Sequence, residues 1–556
     1  MATDATGAFT QVNLAGDAGG ARWSAQAQPS GAGRMQARLS AQAPEAAILL
    51  RQAGFAVLPL KGLGGARLEA QGNGEIGGAL QTRAALDLAG LALRFDGETV
   101  LALDRASAQG RLVAESGDLS RLAPLFAFGA PDMAGRIPLR GAAQLRLDAQ
   151  GLALDAIDAE VAQVHVTGSV TRAMSGVYGG RLKLDSLSAP DVLALVLGPP
   201  QPKAAGALWP ALKFAPARFD LPNADVALEV GRVDLGSDVV AQNARGRLVL
   251  ASGSLALRDL GMAIGDGRVS GDMTLRREVG AAIATARVKG DNLALAAGPL
   301  SARVSGALDL SGAGGSAAEM IASFAGSGHL AFSNARIAAA APAALGKLVA
   351  QTEASETALE PRQVAESLAR FFDEGSQLLG PFESDAAISS GKIVLAPVST
   401  RFGATEAQIS GALDMRSGSL NVRETLTLPP PPGFVSAPRI DMSWTGALDG
   451  LRRDINTDAL IATLAERAIA RETERNAALE ADIHERAFFN RRLKMDRRND
   501  EERRALDDAR RTMAPGPRAP APALQEEKAK PQSRPPAAFA PATRGAAPDP
   551  STAGRY

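Results

Sequence analysis

Apolar and polar residues alternate along most of this chain with a period of two. Gln144–Leu154 (QLRLDAQGLAL) and Gly246–Leu257 (GRLVLASGSLAL) show the pattern, and Ser389–Leu395 (SSGKIVL) repeats it later. Such alternation predicts antiparallel strands with one apolar face and one solvated face. Turn pairs such as Ser252-Gly253 separate the strands, so we expect roughly twenty to twenty-five strands in a meander.

Internal repeats run in step with this alternation. Leu58–Gly72 (LPLKGLGGARLEAQG) and Ile137–Gly151 (IPLRGAAQLRLDAQG) are identical at eight of fifteen positions. An acidic residue followed by an apolar run recurs at Glu45, Asp118 and Asp191, each 73 residues after the one before. Such an acid is favoured at the positive end of a helix dipole and can cap the first turn. The repeats therefore predict a recurring module of strands with one short N-capped helix.

The composition narrows the possible chemistry. It is 46% hydrophobic but only 4% aromatic, so the apolar face consists mainly of Ala, Leu and Val. The absence of Cys excludes disulfides, thiolate nucleophiles and Cys-ligated metals. The three histidines, His165, His329 and His484, are far apart in sequence, and the 60 basic residues match the 60 acidic residues. We therefore predict no metal, no cofactor and no binding of nucleic acid.

Two glycine-containing motifs are candidates for catalysis or phosphate binding. Gly326–His329 (GSGH) places Ser327 near His329, but the nucleophile elbow GxSxG is absent. Gly265–Asp272 (GDGRVSGD) is similar to a phosphate-binding loop, but strand patterns flank it on both sides, where a dinucleotide site needs a following helix. We interpret both motifs as turns between strands and predict no catalytic residues.

The apolar face of such a long meander must be covered. The predicted helices are too few and too short to cover all of it. The sheet can instead fold lengthwise into a trough with its apolar face inside, and small aliphatic side chains would leave room there for acyl chains. The alternative is a core filled by its own Leu and Val side chains. The periodicity alone favours neither interpretation.

The expected fold is mainly β: an elongated antiparallel meander folded into a groove, with short inserted helices and a C-terminal α-helix. Our candidates for the groove lining are strand residues expected to face inward. A register slip of one residue would move all of them to the outer face of the sheet. They are Leu145, Leu147, Leu152, Leu154, Leu248, Leu250, Leu308, Leu310, Leu330, Phe332, Leu413 and Met415.

The pattern also divides the chain into segments. We expect a repetitive β-groove over residues 1–336, with short helices near 45, 118 and 191. A helical insertion over 337–380 and a closing β-segment over 381–456 follow. Interleaved acids and bases then predict a charged α-helix over 457–513. The Pro/Ala-rich tail over 514–556 has a composition typical of disorder.

Several segments resemble the C-terminal region of the AsmA family. They are Glu45–Phe55 (EAAILLRQAGF), Gly326–Ile337 (GSGHLAFSNARI), the strand motif SGALDL and the closing segment Leu428–Glu472. The resemblance covers roughly Ala37–Glu472. It rests on the order of these short motifs and on the long closing segment.

The resemblance implies more than the residues alone. This family, which includes TamB-like relatives, consists of periplasmic proteins associated with the inner membrane of Gram-negative bacteria, and they form β-grooves with apolar interiors. It implies a non-enzymatic protein that binds phospholipid acyl chains and supports phospholipid transport between the inner and outer membranes, or outer-membrane assembly. The implied partners are phospholipid and assembly proteins of the two membranes. The family has no catalytic motif, so no active-site residue is carried over.

The start of the chain departs from the family pattern. Met1–Thr10 (MATDATGAFT) has no basic start and no apolar stretch, and no segment here matches the family's N-terminal anchor helix. We expect that the start is misassigned or that this form needs a partner to reach the periplasm. Two other interpretations stay open. One is a scaffold or assembly factor with a packed core and a partner-binding C-terminal helix, and the other is an extracellular β-solenoid enzyme.

Overall fold

The computed structural model describes most of the chain. The described residues are 2–3, 9–31, 33–55, 57–58, 61–75, 78–101, 106–122, 136–198, 201–215, 222–236, 238–355 and 360–513. The tail over 514–556, for which the sequence predicts disorder, lies outside them. The chain divides into two compact units, Met1–Glu472 and Thr473–Tyr556.

The first unit begins with groups of four strands, each followed by a short helix. The first group is β1 (Ala2–Thr3), β2 (Phe9–Ala18), β3 (Ala21–Gly31) and β4 (Arg34–Ala43), with α1 (Ala46–Gln52). The second is β5 (Ala66–Glu75), β6 (Ala79–Leu88), β7 (Leu91–Leu101) and β8 (Ala106–Ser116), with a 3-10 helix (Leu119–Arg121). The third is β9 (Leu139–Asp148), β10 (Gly151–Val161), β11 (Val164–Ala173) and β12 (Tyr178–Ser188), with α2 (Ala189–Leu197).

Longer strands and further helices follow. A six-strand group contains β13 (Ala224–Asp234), β14 (Val240–Ala251), β15 (Ser254–Ile264), β16 (Gly267–Glu278), β17 (Ala281–Ala297) and β18 (Leu300–Gly314), with α3 (Ala317–Ser323). Next come β19 (Ala325–Ala338), α4 (Ala344–Ala354), α5 (Pro361–Asp373) and β20 (Ser376–Leu378). The last elements are β21 (Phe382–Ser389), β22 (Lys392–Phe402), β23 (Thr405–Asp414), β24 (Ser419–Thr427), β25 (Arg439–Ala447), β26 (Arg452–Asn456) and α6 (Asp458–Thr512).

Strands β2–β26 form one open sheet of 25 strands, which confirms the predicted mainly-β antiparallel meander. Neighbouring strands along the chain pair with each other, and β20 and β21 both pair with β19. Within the described ranges, the first and last strands of the sheet do not pair with each other. One pairing departs from the prediction, because β12 and β13 are parallel. The long connection that contains α2 returns the chain to the same end of the sheet, as a parallel pair requires.

The sequence repeats correspond to repeated groups of strands. Leu68, Leu147 and Leu228, which the repeats align, lie on β5, β9 and β13, the first strand of each group. Only one of the three acidic residues caps its helix as predicted: Asp118 accepts a hydrogen bond from the N–H of Ser120 at 3.0 Å.

The other two acidic residues lie at the N-terminal end of their helices, but their side chains do not make the cap bond. Ser188 caps α2 instead of Asp191, because the hydroxyl of Ser188 accepts the N–H of Asp191. Glu45 makes no side-chain cap bond to α1, and its carboxylate accepts the N–H of Gly62 at 3.0 Å. A hydroxyl close to the first turn can therefore replace the acid as the cap.

Irregular positions inside the strands let the sheet bend. Asn292 has a φ of 52° at a bulge in β17, and its N–H donates to the hydroxyl of Ser305 at 2.9 Å. Gly306, in the SGALDL motif, has a φ of 155°, and a Cβ there would lie 2.2 Å from the carbonyl oxygen of His329. Bulges and glycine kinks increase twist and allow a sheet to curl. These positions let the sheet bend at β17 and β18.

The register of the sheet separates an apolar face from a charged face. Leu147 lies opposite Leu152, so both side chains point to the same side of the sheet. On the other face, Arg287 and Asp309 lie opposite each other and form an exposed ion pair at 2.7 Å. We call these the inner and the outer face. The inner face carries the core clusters of the first unit.

Candidate functional site

The sheet curls in its last third, so that inner-face residues of strands far apart in the sheet meet. Gln377 on β20 donates a hydrogen bond of 2.6 Å to Glu424 on β24, although β20 lies beside β19 in line with β21, and β22 and β23 separate that position from β24. Leu300 on β18 packs in the same hydrophobic cluster as Leu451, which precedes β26. These contacts bring the wall formed by β17 and β18 opposite the wall formed by β22, β23 and β24.

An apolar cavity of about 550 Å³ lies between these two walls. We call it the groove cavity. The inner-face residues of both walls and of the intervening strands line it with aliphatic and aromatic side chains. They are Val288, Leu293, Leu295, Leu300, Ala302, Val304, Leu308, Leu330, Phe332, Ile337, Leu379, Phe382, Ile393, Leu395, Val398, Ile409, Leu413, Leu420, Val422 and Leu448.

The floor of the groove cavity is formed by β19 and β21. Phe332 lies directly opposite Phe382, and their rings stack with centroids 4.8 Å apart. Small residues at Ala302 and Gly411 on the two walls leave space above this floor. A Cβ at Gly411 would reach only van der Waals distance from Leu395, 3.5 Å. The cavity exists because small side chains on the walls do not fill the width set by the curl.

Charge is kept out of the groove cavity. Among its described lining residues, Arg336 alone is charged, and it lies next to Ile337 on a strand whose side chains alternate between faces. The Nε of Arg336 donates to the hydroxyl of Ser376 at 3.0 Å on the outer face. The space itself therefore offers apolar surface and no ionic partner, which suits a hydrocarbon ligand.

Helices close one end of the groove cavity. We call this region the closed end. Leu348 of α4 and Phe372 of α5 are fully buried there against Trp444 of β25, and Leu460 of α6 joins the same cluster. Helix α5 begins at Pro361, where Glu360 and Gln363 form a reciprocal capping box. The amphipathic helices of the predicted insertion thus supply the side chains that fill the inner face at this end.

A buried polar pair lies within the closed end. Glu424 and Gln377 are buried, and neither Glu424 Oε2 nor Gln377 Oε1 has a hydrogen-bond partner among the described residues. Burial raises the pKa of Glu424 to about 7, although the hydrogen bond from Gln377 acts in the opposite direction. Desolvation disfavours the charged carboxylate, so the neutral acid is favoured up to near-neutral pH.

The segment over 201–215 reaches the loop that follows β23. The indole Nε1 of Trp209 donates to the carbonyl oxygen of Met415 at 2.7 Å. Farther along the segment, the N–H of Phe214 donates to the carbonyl of Gly315, and the guanidinium of Arg277 lies 5.1 Å from the centre of the Phe214 ring. Met415, a predicted lining residue, follows the last residue of β23 and engages Trp209 through its backbone.

Of the twelve lining residues predicted from the sequence, four line the groove cavity. They are Leu308, Leu330, Phe332 and Leu413. Leu310 lies on the same face of β18 as Leu308, opposite Ala286. The sequence prediction missed the lining residues on β17, β22 and β24, for example Leu395 and Val422. The same alternation of apolar and polar residues indicates them, in SSGKIVL, which ends at Leu395, and in SLNV, which ends at Val422.

The remaining predicted residues lie on the inner face in other parts of the sheet. Leu248 and Leu250 pack against Leu255, Leu275 and Val196, the last of which belongs to α2. This part of the inner face is therefore covered by a helix and is part of a core.

Strands β9 and β10 carry the last four predicted residues. Leu145 lies opposite Leu154 and Leu147 opposite Leu152, so all four share the inner face. Leu147 is 39% exposed. This part of the inner face is more open than the part beneath α2.

One histidine lies among acidic residues on the outer face. The Nδ1 of His329 is 2.9 Å from Asp385 and its Nε2 is 3.2 Å from Glu383. The hydrogen bond with Asp385 raises the pKa of His329, and the bond with Glu383 acts in the same direction. Both ring nitrogens are engaged by carboxylates, an arrangement that favours the protonated ring at the exposed surface. Ser327 lies on the outer face of the same strand, and the GSGH motif is strand rather than turn.

Comparison of the sequence with protein-family models gave no match, and neither did comparison with curated proteins or with solved structures. In the part of the chain that the structure describes, no cluster of three metal-ligating side chains occurs. No helix there combines the length and apolarity that crossing a membrane needs. The functional interpretation therefore rests on the geometry of the groove cavity.

Proposed function

We propose that this protein is a non-enzymatic lipid-binding protein that holds phospholipid acyl chains in the groove cavity. The observation that carries the proposal is the cavity of about 550 Å³ between two walls of aliphatic side chains. Ligand sites in proteins span about 300–1,000 Å³ and are mostly apolar. The resemblance to the AsmA family supplies the context: support of phospholipid transport between inner and outer membranes, at a periplasmic location.

Hydrocarbon burial supplies the affinity in this proposal. Each methylene group removed from water contributes about 0.8 kcal/mol. The described lining includes serine hydroxyls but no charged side chain other than Arg336, which binds Ser376, so the charged headgroup stays at the solvent boundary. The protein therefore recognises the acyl chain and tolerates different headgroups. Phospholipids that share a chain but differ in headgroup should bind with similar affinity.

Two neighbouring residues on β22 provide the test. Leu395 lines the cavity, whereas Val394 is 48% exposed on the outer face. Leu395→Glu should lower the uptake of a fluorescent phospholipid by at least about tenfold, because the carboxylate must be desolvated by the acyl chain. Val394→Glu should change uptake less than about twofold. Its side chain lies outside the cavity, and substitutions of exposed residues usually change protein stability little. Thermal unfolding of both variants checks that the fold is retained.

Mass spectrometry of the purified chain gives the independent readout. Phospholipid should co-purify with the wild-type protein and with the Val394→Glu variant, and be depleted from Leu395→Glu. The proposal fails if no phospholipid co-purifies and the wild-type chain takes up no fluorescent phospholipid. Equal losses of uptake in both variants would also contradict it.

A scaffold or assembly factor is the second candidate function. The observation in its favour is that α1, α2 and the helices of the closed end pack large parts of the inner face into solid cores. For a scaffold, the groove cavity would have no ligand, and Leu395→Glu would act only through stability. The mass-spectrometric comparison above separates the two functions.

A further inference from the structure

The second unit carries exposed apolar residues along the helix α6. Every described residue from Thr473 to Met513 is exposed. Leu479, Ile483 and Leu493 on α6 are 53%, 63% and 58% exposed. A contiguous row of exposed apolar residues, unlike single scattered ones, is typical of an interaction surface.

These residues belong to one continuous seam along the helix. Asn476, Leu479, Ile483, Arg486, Asn490 and Leu493 follow each other at steps of three and four residues. That spacing is the a/d pattern of a coiled coil, in which such residues face a partner helix. Asn476 and Asn490 occupy equivalent positions in it. A polar residue within such a seam selects register and orientation at a cost in stability.

We propose that this seam binds the same seam of a second copy of the chain, with the two helices antiparallel. The order of residues is self-complementary when one helix is reversed. Leu479 then faces Ile483 of the second copy, and Asn476 faces Arg486 of the second copy. Extending the register toward the start of the helix places Ile469 opposite Leu493 and Glu472 opposite Asn490. Apolar residues meet apolar residues, and each polar residue meets a polar partner.

Competing arrangements lose this match. A parallel pair places Arg486 against Arg486 and Glu472 against Glu472, which brings like charges together at the seam. In an antiparallel pair shifted by one heptad, Ile483 faces Arg486, or in the other direction Asn476 faces Leu479. One orientation and one register therefore satisfy the whole seam, which is why a second copy is the occupant.

Charges beside the seam set the salt dependence of the association. Glu480 and Asp482 lie beside the midpoint of the proposed helix pair. There Glu480 approaches Glu480 of the second copy, and Asp482 approaches Asp482 of the second copy. Asp482 is paired within its helix, 2.9 Å from Arg486. Salt screens repulsion between exposed like charges. Association should therefore tighten as ionic strength rises, whereas pairing driven by charge attraction would weaken.

Sedimentation equilibrium of the full chain tests the association. The wild-type chain should show a monomer–dimer equilibrium whose dimer fraction rises with protein concentration. Leu479→Glu combined with Ile483→Glu should raise the dissociation constant on the order of 100-fold, because both apolar layers are lost. Glu is a strong helix former, so circular dichroism should show an unchanged helix content. Phe488→Glu combined with Leu506→Glu, on the opposite side of the helix, is the matched control.

Disulfide trapping tests the orientation. The chain has no natural Cys, so only engineered thiols can cross-link. A mixture of the Asn476→Cys and Arg486→Cys variants should give a mixed disulfide dimer, and each variant alone should give little. Self-cross-linking of each variant would show a parallel pair and overturn the proposal. A monomer at all concentrations, or a dimer that survives the seam substitutions, would overturn it as well. Lipid uptake plays no part in these readouts.

Discussion

The closed end and the groove cavity are two regions of one sheet with opposite outcomes for the same pattern. In both regions apolar residues alternate with polar ones along β23 and β24. In the closed end Leu426 is fully buried, whereas in the cavity Leu413 on the neighbouring strand stays partly exposed. The difference lies in what covers the inner face, because α4, α5 and the start of α6 pack only on the closed end.

This difference shows that period-two alternation defines a face without defining its use. A face covered by helices such as α5 becomes core, packed to the density of other protein interiors. A face opposed only by the far wall of the same curled sheet remains open when the wall side chains are small. Three substitution experiments can break or sharpen the comparison.

The largest effect should come from truncating the same residue type in the two regions. Leu426→Ala in the closed end should lower the free energy of unfolding by about 4 kcal/mol, since it leaves a void in a packed core. Leu413→Ala on the cavity wall should cost only about 1 kcal/mol, because its side chain borders open space already. Chemical denaturation of both variants measures the difference. Equal losses would mean that the two regions are packed alike.

The next effect concerns the buried acid of the closed end. The carboxyl of Glu424 has a pKa near 7 in the folded state and an ordinary value of 4.5 when unfolded. Below pH 4.5 it is neutral in both states, so its burial carries no ionic cost. As pH rises from 4.5 to 7 the unfolded chain releases the proton first, and the free energy of unfolding falls.

Glu424→Gln removes this pH-dependent loss and keeps an acceptor for Gln377. At pH 8 the variant should be more stable than the wild-type chain by about 3 kcal/mol, and at pH 4 the two should be alike. Unfolding at the two pH values measures both differences. A stabilisation of the same size at pH 4 would show that ionisation is not its cause.

The smallest effect should come from adding volume. Ala407→Leu, in the closed end, should cost about 2 kcal/mol because the packed core has no room for it. Ala302→Leu, on the cavity wall, should change stability by less than about 0.5 kcal/mol and should lower lipid uptake by occupying the space. Denaturation and uptake of a fluorescent phospholipid are the two readouts. A large stability cost at Ala302 would indicate a cavity already filled.

Much of the sheet was predictable because strand alternation and turn residues are local signals. Leu330 and Phe332 were placed on the inner face from their own neighbours in sequence. What covers that face is a long-range property, and so α2 above Leu250 could not be read from the strand. Met415 was placed on the inner face by extending the strand alternation too far. Strand β23 ends at Asp414, and Met415 already belongs to a turn.

The lining residues of the far wall, formed by β22 and β24, escaped prediction because they join the cavity only through the curl of the sheet. The contact between Gln377 on β20 and Glu424 on β24 spans the sheet positions of β22 and β23. Bulges such as the one at Asn292 produce this bend through backbone conformations that the hydrophobic pattern does not encode. The lining residues of β22 and β24 belong to the site because the bend brings them opposite β18.

Photo-cross-linking with a phospholipid that carries a diazirine on its acyl chain tests the central claim most directly. After illumination of the loaded full-length chain, peptide mapping identifies the attached residues. The account predicts adducts on Leu395, Leu413 and neighbouring inner-face residues of the groove cavity. It predicts no adducts on Val394 of the outer face or on Leu426 in the closed end. Adducts confined to the outer face, or spread evenly over both faces, would contradict it.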